Sequence, residues 1–124
     1  MFFLEDSVKK VISLLAVIFC PLVLADNFAS CVLDQIPDSQ NDAATYAVMQ
    51  LCHQKYPEAY NGISQGSGRG WFGYDSGAEC AIKKSAKTTN NKAGGAIRVA
   101  CNCLYDKAIM EFISCEEQRN TPRQ

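Results

Sequence analysis

The chain has 124 residues, with 12 basic and 13 acidic side chains, a formal net charge of −1 and seven cysteines. This length holds one domain at most. The near-neutral charge argues against nucleic acid as a partner, because nucleic-acid binding relies on a strong positive potential. His53 is the only histidine and no Cys-x2-Cys pair occurs, so the sequence predicts neither a metal site nor a cofactor.

The first 25 residues have the pattern of a cleaved export signal. Lys9 and Lys10 supply a positive region, residues 11–24 an apolar stretch, and Ala25 a small residue before the predicted cleavage at Asp26. The apolar stretch is shorter than the roughly 20 residues of a comfortable membrane span. We therefore predict a periplasmic or secreted mature protein without a membrane span. An uncleaved anchor is the alternative.

The mature chain, residues 26–124, keeps six cysteines, which is typical of a disulfide framework in an oxidising compartment. Residues 31–56 align without a gap over residues 80–105. The identical positions are Cys31/Cys80, Asn41/Asn90, Ala44/Ala93, Ala47/Ala96, Cys52/Cys101 and Tyr56/Tyr105. The sequence predicts one all-α domain, in which two tandem disulfide-closed helical hairpins are joined by a loop at 57–77 and followed by a short C-terminal helix.

The first copy has two stretches of helical spacing, separated by Pro37. Asn41 is positioned to cap the second helix by accepting hydrogen bonds from free backbone N–H groups. Small and aliphatic residues form a predicted buried stripe along that helix: Ala44, Ala47, Val48, Leu51 and Cys52. His53 falls nearly opposite this stripe, which predicts a solvent-facing side chain.

The loop between the copies combines repeated glycines, which disfavour regular structure, with Arg69, Trp71, Phe72 and Tyr74. Large aromatic side chains and arginine are concentrated at binding surfaces. We predict that these four residues contact a partner. The alternative is that Trp71 and Phe72 fill the seam between the two hairpins.

The second copy begins with a capping-box pattern, Ser76 followed three residues later by Glu79. Cys80 and Cys101 lie at similar distances along the chain on either side of a polar turn near Asn90. Antiparallel helices joined by this turn bring the two cysteines to bridging distance. The first copy is predicted to close likewise through Cys31 and Cys52. Gly94 and Gly95 are expected to let two helix backbones approach closely.

Cys103 and Cys115 remain as the third pair. A continuous helix would hold them about 18 Å apart, so a bond between them requires a break near residues 106–107. The apolar residues that follow are predicted to fold back as a short helix: Ile109, Met110, Phe112 and Ile113. Residues 116–124 are predicted to form a frayed tail.

The two copies differ in charge. Residues 31–56 carry three aspartates and one lysine, a balance of −2, whereas residues 80–105 carry five cations and no acid, a balance of +5. The cations form a candidate basic face for an anionic envelope component or an acidic protein: Lys83, Lys84, Lys87, Lys92 and Arg98. The alternative is a solvated helix face that the acidic copy partly balances.

Catalysis is the weaker functional class. A nucleophilic triad would need His53, whose predicted position is exposed, while the cysteines are assigned to bridges. A carboxylate pair such as Asp75 with Glu79 can in principle cleave glycosidic bonds, so a small envelope hydrolase is kept as an alternative. A carrier of an apolar ligand is a further alternative.

Residues 27–57 and 66–106 resemble a family of small exported bacterial proteins of unknown function. The resemblance lies in the order Cys, Pro, Asn-Asp, Cys, Tyr-Pro, followed by a glycine and aromatic loop and then Cys, Cys and Leu-Tyr. It implies export. Cys103 and Cys115 lie outside this pattern, which leaves their pairing open. We expect an exported, non-catalytic binding module that presents the 69–74 loop to a protein or envelope partner.

Overall fold

A computed structural model describes residues 27–122, so the predicted signal at 1–25 lies outside the described residues. The helices are α1 (Phe28–Gln35), α2 (Asp42–Lys55), α3 (Gly77–Lys84), α4 (Asn91–Tyr105) and α5 (Cys115–Asn120). Short 3-10 helices occupy Ile36–Asp38 and Ala59–Gly62. Within the described range no strand forms, and an isolated bridge joins Ser64 to Ser114. The predicted all-α class is confirmed.

The two predicted hairpins are present and repeat with a constant offset. The start of α1 precedes the start of α3 by 49 residues, from 28 to 77, and the start of α2 precedes that of α4 by the same 49, from 42 to 91. Each of these helices has a side-chain cap that accepts a backbone N–H three residues on: Asn27, Asn41, Ser76 and Asn90. These caps satisfy donors that the first turn of a helix leaves unpaired.

All three predicted disulfides are formed. Cys31–Cys52 closes the first hairpin with its Cα atoms 5.8 Å apart, and Cys80–Cys101 closes the second at 5.6 Å. Cys103–Cys115 ties the end of α4 to the start of α5 with a Cα separation of 5.1 Å. Because α4 ends at Tyr105, the break predicted near residues 106–107 is also confirmed.

The core lies where α1 packs against α2 and α4. The largest fully buried aliphatic and aromatic side chains are Phe28, Val32, Ile36 and Ile97. Small buried residues on α4, Ala93 and Ala100, complete the contact. Few large side chains are buried among residues 27–122, so the three covalent bridges contribute a major share of the stability.

The buried face of α2 differs from the predicted stripe. Thr45 and Cys52 are buried and Val48 and Met49 pack against the core, whereas Leu51 is exposed. Cys52 has to face Cys31 to form the disulfide, and this bond fixes the rotation of the helix. At 100° per residue, the positions in line with Cys52 are 45, 48, 49 and 56. The predicted burial of Ala47 and Leu51 is therefore wrong, while the predicted exposure of His53 is confirmed.

The glycine pair in α4 has no packing role. A Cβ atom built at Gly94 or Gly95 would meet nothing within 4 Å, so the predicted close helix approach at these positions is wrong. The close approach occurs instead at Gly77, where a Cβ would lie 2.7 Å from the Asn102 Cα. The start of α3 thus passes directly over the C-terminal end of α4.

The C-terminal helix lies later than predicted. Residues 109–113 are not helical, and Phe112 has a φ of 63°, which interrupts a right-handed helix. Residues 115–120 form α5 in place of the predicted frayed tail. Ser114 caps this helix by accepting the Glu117 N–H at 3.2 Å, and Glu116 and Glu117 lie in the first turn, where the helix dipole favours negative charge.

Candidate functional site

The aromatic loop, residues 65–75, is built on the C-terminal end of α4. The last four carbonyl groups of an α-helix have no partner within the helix. The loop supplies partners for all four of them. Gly66 N donates to Cys103 O at 2.8 Å, Gly68 N to Leu104 O at 2.8 Å, Arg69 Nη1 to Tyr105 O at 2.6 Å, and Gln65 Nε2 to the carbonyl of the C-cap residue Asp106 at 3.0 Å. The base of the loop is therefore held by a row of hydrogen bonds to a rigid helix.

Glycine is required at two points of this base. A Cβ at Gly68 would lie 2.9 Å from the Leu104 Cβ, and a Cβ at Gly73 would lie 2.5 Å from the Gly68 carbonyl oxygen. Any larger residue would push the loop away from α4 or separate its two sides. The repeated glycines of this segment thus allow a tight, closed conformation of the backbone.

Trp71 and Phe72 lie at the tip of the aromatic loop, beyond the hydrogen-bonded base. Their exposed fractions are 99% and 104%, so neither side chain contacts the core. The alternative in which both rings fill the seam between the hairpins is therefore wrong. Two adjacent large aromatic side chains in full contact with water, on a loop whose base is fixed, are unusual for a monomeric surface.

Arg69 and Tyr74, the other two predicted contact residues, have mainly structural contacts. The Arg69 guanidinium donates from Nη1 to Asp75 O at 2.8 Å in addition to Tyr105 O, so it joins the two ends of the loop to α4. Tyr74 is half-buried and packs edge-on against the Tyr105 ring, with centroids 5.1 Å apart. The four predicted residues share one loop, but Arg69, although exposed, and Tyr74 are engaged in holding it, whereas Trp71 and Phe72 are fully exposed.

A second apolar segment lies beside the aromatic loop. Its exposure was not predicted from the sequence. Ile109, Met110 and Phe112 are 59%, 55% and 90% exposed in the turn that follows α4. This apolar turn (residues 107–112) is tied to the base of the aromatic loop, since Gln65 N donates to Ile113 O at 3.0 Å. The sequence signal for this exposed segment was a cluster of large apolar residues within the short loop that the Cys103–Cys115 disulfide closes.

The predicted basic residues do not form one free basic face. Lys92 pairs with Asp42 of the first hairpin at 3.7 Å, and Lys83 pairs with Glu79 at 3.5 Å. Arg98 donates from Nε to the Asn102 side chain at 3.1 Å. Two of the five cations are thus paired with carboxylates, one of them from the acidic copy, which favours the alternative of a solvated helix face that the acidic copy partly balances.

The Glu79 carboxylate, one of the pair considered for glycoside cleavage, is bonded to the backbone at the start of α3, beside the Ser76 cap. Glu79 Oε2 accepts the Asp75 backbone N–H at 3.0 Å. This hydrogen bond, together with the neighbouring Lys83 ammonium, lowers the pKa of the Glu79 carboxyl below its usual value. A general acid in glycoside cleavage needs a raised pKa, so the geometry gives the hydrolase alternative no support.

Among residues 27–122 no group of three or more histidine, cysteine, aspartate or glutamate side chains is arranged to hold a metal ion. No helix in the same range is long and apolar enough to cross a membrane. Comparison of the chain with protein-family models, curated proteins and solved structures gives no match. Any function of this chain has therefore to be inferred from the arrangement of its own side chains.

Proposed function

We propose that the protein is an exported, non-catalytic binding module that recognises a protein partner through Trp71 and Phe72. One observation carries this proposal: both side chains are almost fully exposed on a loop whose base is bonded to the last four carbonyl groups at the end of α4, its C-cap included. The apolar turn beside the loop extends the contact surface.

Covering Trp71 and Phe72 with a partner is favourable in free energy, which supports binding as the role of these exposed rings. A large aromatic side chain buries about 150–250 Å² when it is covered. At about 25 cal/mol per Å², two such rings supply a gross gain of about 10 kcal/mol, before the entropic costs of association. Because the base of the loop is already ordered by its bonds to α4, binding pays less for fixing the backbone.

The distribution of charge favours a protein over an anionic membrane surface. Arg69 is committed to backbone carbonyls, and Lys83 and Lys92 are paired with carboxylates. The apolar turn carries one cation, Lys107, and one acid, Glu111. Without excess positive charge beside the aromatic rings, attraction to anionic lipid is small. Tryptophan, phenylalanine and methionine are the residues that protein interfaces concentrate.

Export is the other part of the proposal. Six cysteines form three disulfides among the described residues, which is compatible with an oxidising compartment. The signal pattern of residues 1–25, with cleavage near Ala25/Asp26, points the same way. Membership of a family of small exported bacterial proteins stays a prediction.

Trp71 makes a direct test available, because it is the only tryptophan of the chain. Wild-type protein and the double variant Trp71→Ala/Phe72→Ala are immobilised and exposed to envelope and secreted proteins of the producing cell. A protein retained only by the wild type is then purified and titrated against it in solution. We expect the fluorescence of Trp71 to shift to shorter wavelength on saturation, as its indole leaves water.

Ile82→Ala provides the matched control, since Ile82 is 72% exposed but lies on α3, outside the loop. It should bind the purified partner like the wild type, whereas the double variant should bind at least tenfold more weakly, the effect of losing about 1.4 kcal/mol or more. Equal binding by the double variant would overturn the proposal. A fluorescence shift produced by phosphatidylglycerol vesicles alone would instead identify the partner as a membrane.

A further inference from the structure

A cavity of about 830 Å³ lies between the C-terminal half of α4, the segment around Tyr60 and α5, away from the tip of the aromatic loop. Its size is within the about 300–1,000 Å³ that is typical of sites for small molecules. Most of its apolar wall comes from Val99, Ile109, Pro122 and the Cys103–Cys115 disulfide. The polar groups on its wall include Tyr60, Asp106 and Arg119.

Tyr60 carries an unsatisfied polar group in this wall. The residue is 8% exposed, and its hydroxyl is the buried side-chain oxygen that has no hydrogen-bond partner among the described residues. Buried hydroxyl groups in folded proteins are nearly always bonded, because an unpaired one loses its hydration without compensation. A ligand acceptor placed at this wall would supply the missing partner.

The Tyr60 hydroxyl stays protonated, so it can donate a hydrogen bond and does not become a phenolate. Burial raises the pKa of Tyr60 well above its ordinary value, although the nearby Arg119 acts in the opposite direction. The proton is therefore retained at every physiological pH. The Phe28 ring packs edge-on against the Tyr60 ring at 4.9 Å between centroids, so the direction of the hydroxyl is fixed by the core.

Arg119 brings positive charge to the same wall. Its guanidinium carbon lies 5.8 Å from the centroid of the Tyr60 ring. Nη2 pairs with Glu116 at 2.5 Å, but Glu116 does not line the cavity. Asp106, the acid in the wall, uses its Oδ1 to accept the Gly77 N–H at 2.8 Å, where the N-terminus of α3 offsets its negative charge. The unsatisfied polar group of the wall is thus the Tyr60 hydroxyl, and the cation beside it is paired with a carboxylate outside the cavity.

We infer that this cavity binds one anionic amphiphile, whose carboxylate is held by Tyr60 and Arg119 and whose apolar chain lies along Val99, Ile109 and Pro122. A buried hydroxyl donor with a guanidinium beside its ring, in a cavity whose wall is mainly apolar, matches a carboxylate head with a hydrocarbon body. The exposed Arg119 guanidinium lies over the Tyr60 ring, so it exchanges its Glu116 partner for the entering head group and uncovers the hydroxyl. This site is separate from Trp71 and Phe72 and does not depend on the proposed partner binding.

Three probes with the same tail and different heads test the inference: dodecanoate, dodecanol and dodecyltrimethylammonium, each below its micelle-forming concentration. Isothermal titration of the full mature protein should give one saturable site for dodecanoate, with weaker binding of dodecanol and weakest binding of the cation. Tyr60→Phe and Arg119→Gln should each weaken dodecanoate about tenfold. Arg119→Gln should leave the affinity for dodecanol within about twofold, because an alcohol head carries no charge.

Arg98→Gln is the matched control, because Arg98 is also an exposed arginine, on α4, but does not line the cavity. Val99→Phe, which fills the cavity without removing a polar group, should abolish binding of both dodecanoate and dodecanol. Circular dichroism confirms that each variant is folded. Absence of saturable dodecanoate binding to the wild type, preference for the cationic probe, or equal losses in Arg98→Gln and Arg119→Gln would overturn the inference.

The double variant Trp71→Ala/Phe72→Ala separates the two proposals. It should bind dodecanoate like the wild type, because neither residue lines the cavity. If dodecanoate binding falls with this variant and persists in Val99→Phe, the probe is binding to the exposed aromatic loop, and the cavity site is excluded.

Discussion

The guanidinium of Arg69 donates a hydrogen bond to the carbonyl oxygen of Tyr105 at 2.6 Å, the last residue of α4. The same Nη1 atom donates to Asp75 O at 2.8 Å. One cation therefore closes the far end of the aromatic loop and also satisfies the negative end of a helix dipole. Arg69 holds Trp71 and Phe72 in place and is not itself a free contact residue.

Arg69→Ala should loosen the aromatic loop without unfolding the hairpins. Loss of the two bonds is expected to lower the free energy of unfolding by about 1 kcal/mol, since Arg69 is exposed and water replaces part of the interaction. Hydrogen exchange measured by mass spectrometry should become faster across residues 66–74. Arg98→Ala is the control, and exchange in the loop should not respond to it.

Replacing a glycine by alanine should change the free energy of unfolding in opposite directions in the two helices of the second hairpin, α3 and α4. Gly95 lies in the interior of α4 with open space around it, so Gly95→Ala should raise the free energy of unfolding by about 0.5–1 kcal/mol. Gly77→Ala places a Cβ 2.7 Å from the Asn102 Cα and should lower it by about 1–3 kcal/mol. Urea unfolding with the disulfides intact measures both, and a stable Gly77→Ala would contradict the close packing of α3 on α4.

Features with local causes were predictable from the sequence. Asn41 and Asn90 cap their helices through bonds to residues three positions away, and such bonds leave a recognisable pattern. The two hairpin disulfides followed from the repeat, because equal spacing in two copies implies equal geometry, whereas Cys103 and Cys115 were paired as the cysteines that remained. Ser114 and Glu117 form the same capping pattern at the start of α5, although this segment was predicted to fray.

Features set by tertiary contacts were not predictable in the same way. The rotation of α2 depends on where Cys52 meets Cys31, which periodicity alone does not specify. The exposure of Trp71 depends on backbone N–H groups of Gly66 and Gly68 that bond to α4, and backbone donors carry no residue signature. Composition identified the loop as unusual, but it gave equal reason to expect its aromatic side chains inside the fold.

Removing one disulfide at a time should show that the two hairpins and the C-terminal segment are stabilised by different bridges. Cys31–Cys52 and Cys80–Cys101 both have a sequence separation of 21, so each double serine variant should lose a similar amount, about 3–4 kcal/mol on chain-entropy grounds. Removal of Cys103–Cys115, with its shorter separation of 12, should cost about 3 kcal/mol. Exchange should then increase mainly across residues 107–120, and faster exchange throughout α1 instead would contradict this division.

Tyr60→Phe should leave stability near neutral pH unchanged or raise it by up to about 1 kcal/mol, because it removes a buried hydroxyl without a partner. Above pH 10 the two proteins should diverge. Burial raises the pKa of Tyr60 in the folded state, so the unfolded chain loses its proton first and binds fewer protons than the folded chain. Stability therefore falls as the pH rises past the unfolded value of roughly 10.

The difference between wild type and Tyr60→Phe isolates this contribution from other alkaline titrations, including that of Tyr105, whose pKa is also raised by burial. Between pH 9 and pH 11 the wild type should lose about 1.4 kcal/mol more than Tyr60→Phe, the value of one pH unit beyond the unfolded pKa. Urea titrations at closely spaced pH values measure the slope, with Tyr46→Phe, a change at a 58% exposed ring, as the control. Parallel curves for wild type and Tyr60→Phe would mean that water reaches the Tyr60 hydroxyl in the folded protein. That result would remove the unpaired donor on which the carboxylate site in the cavity depends.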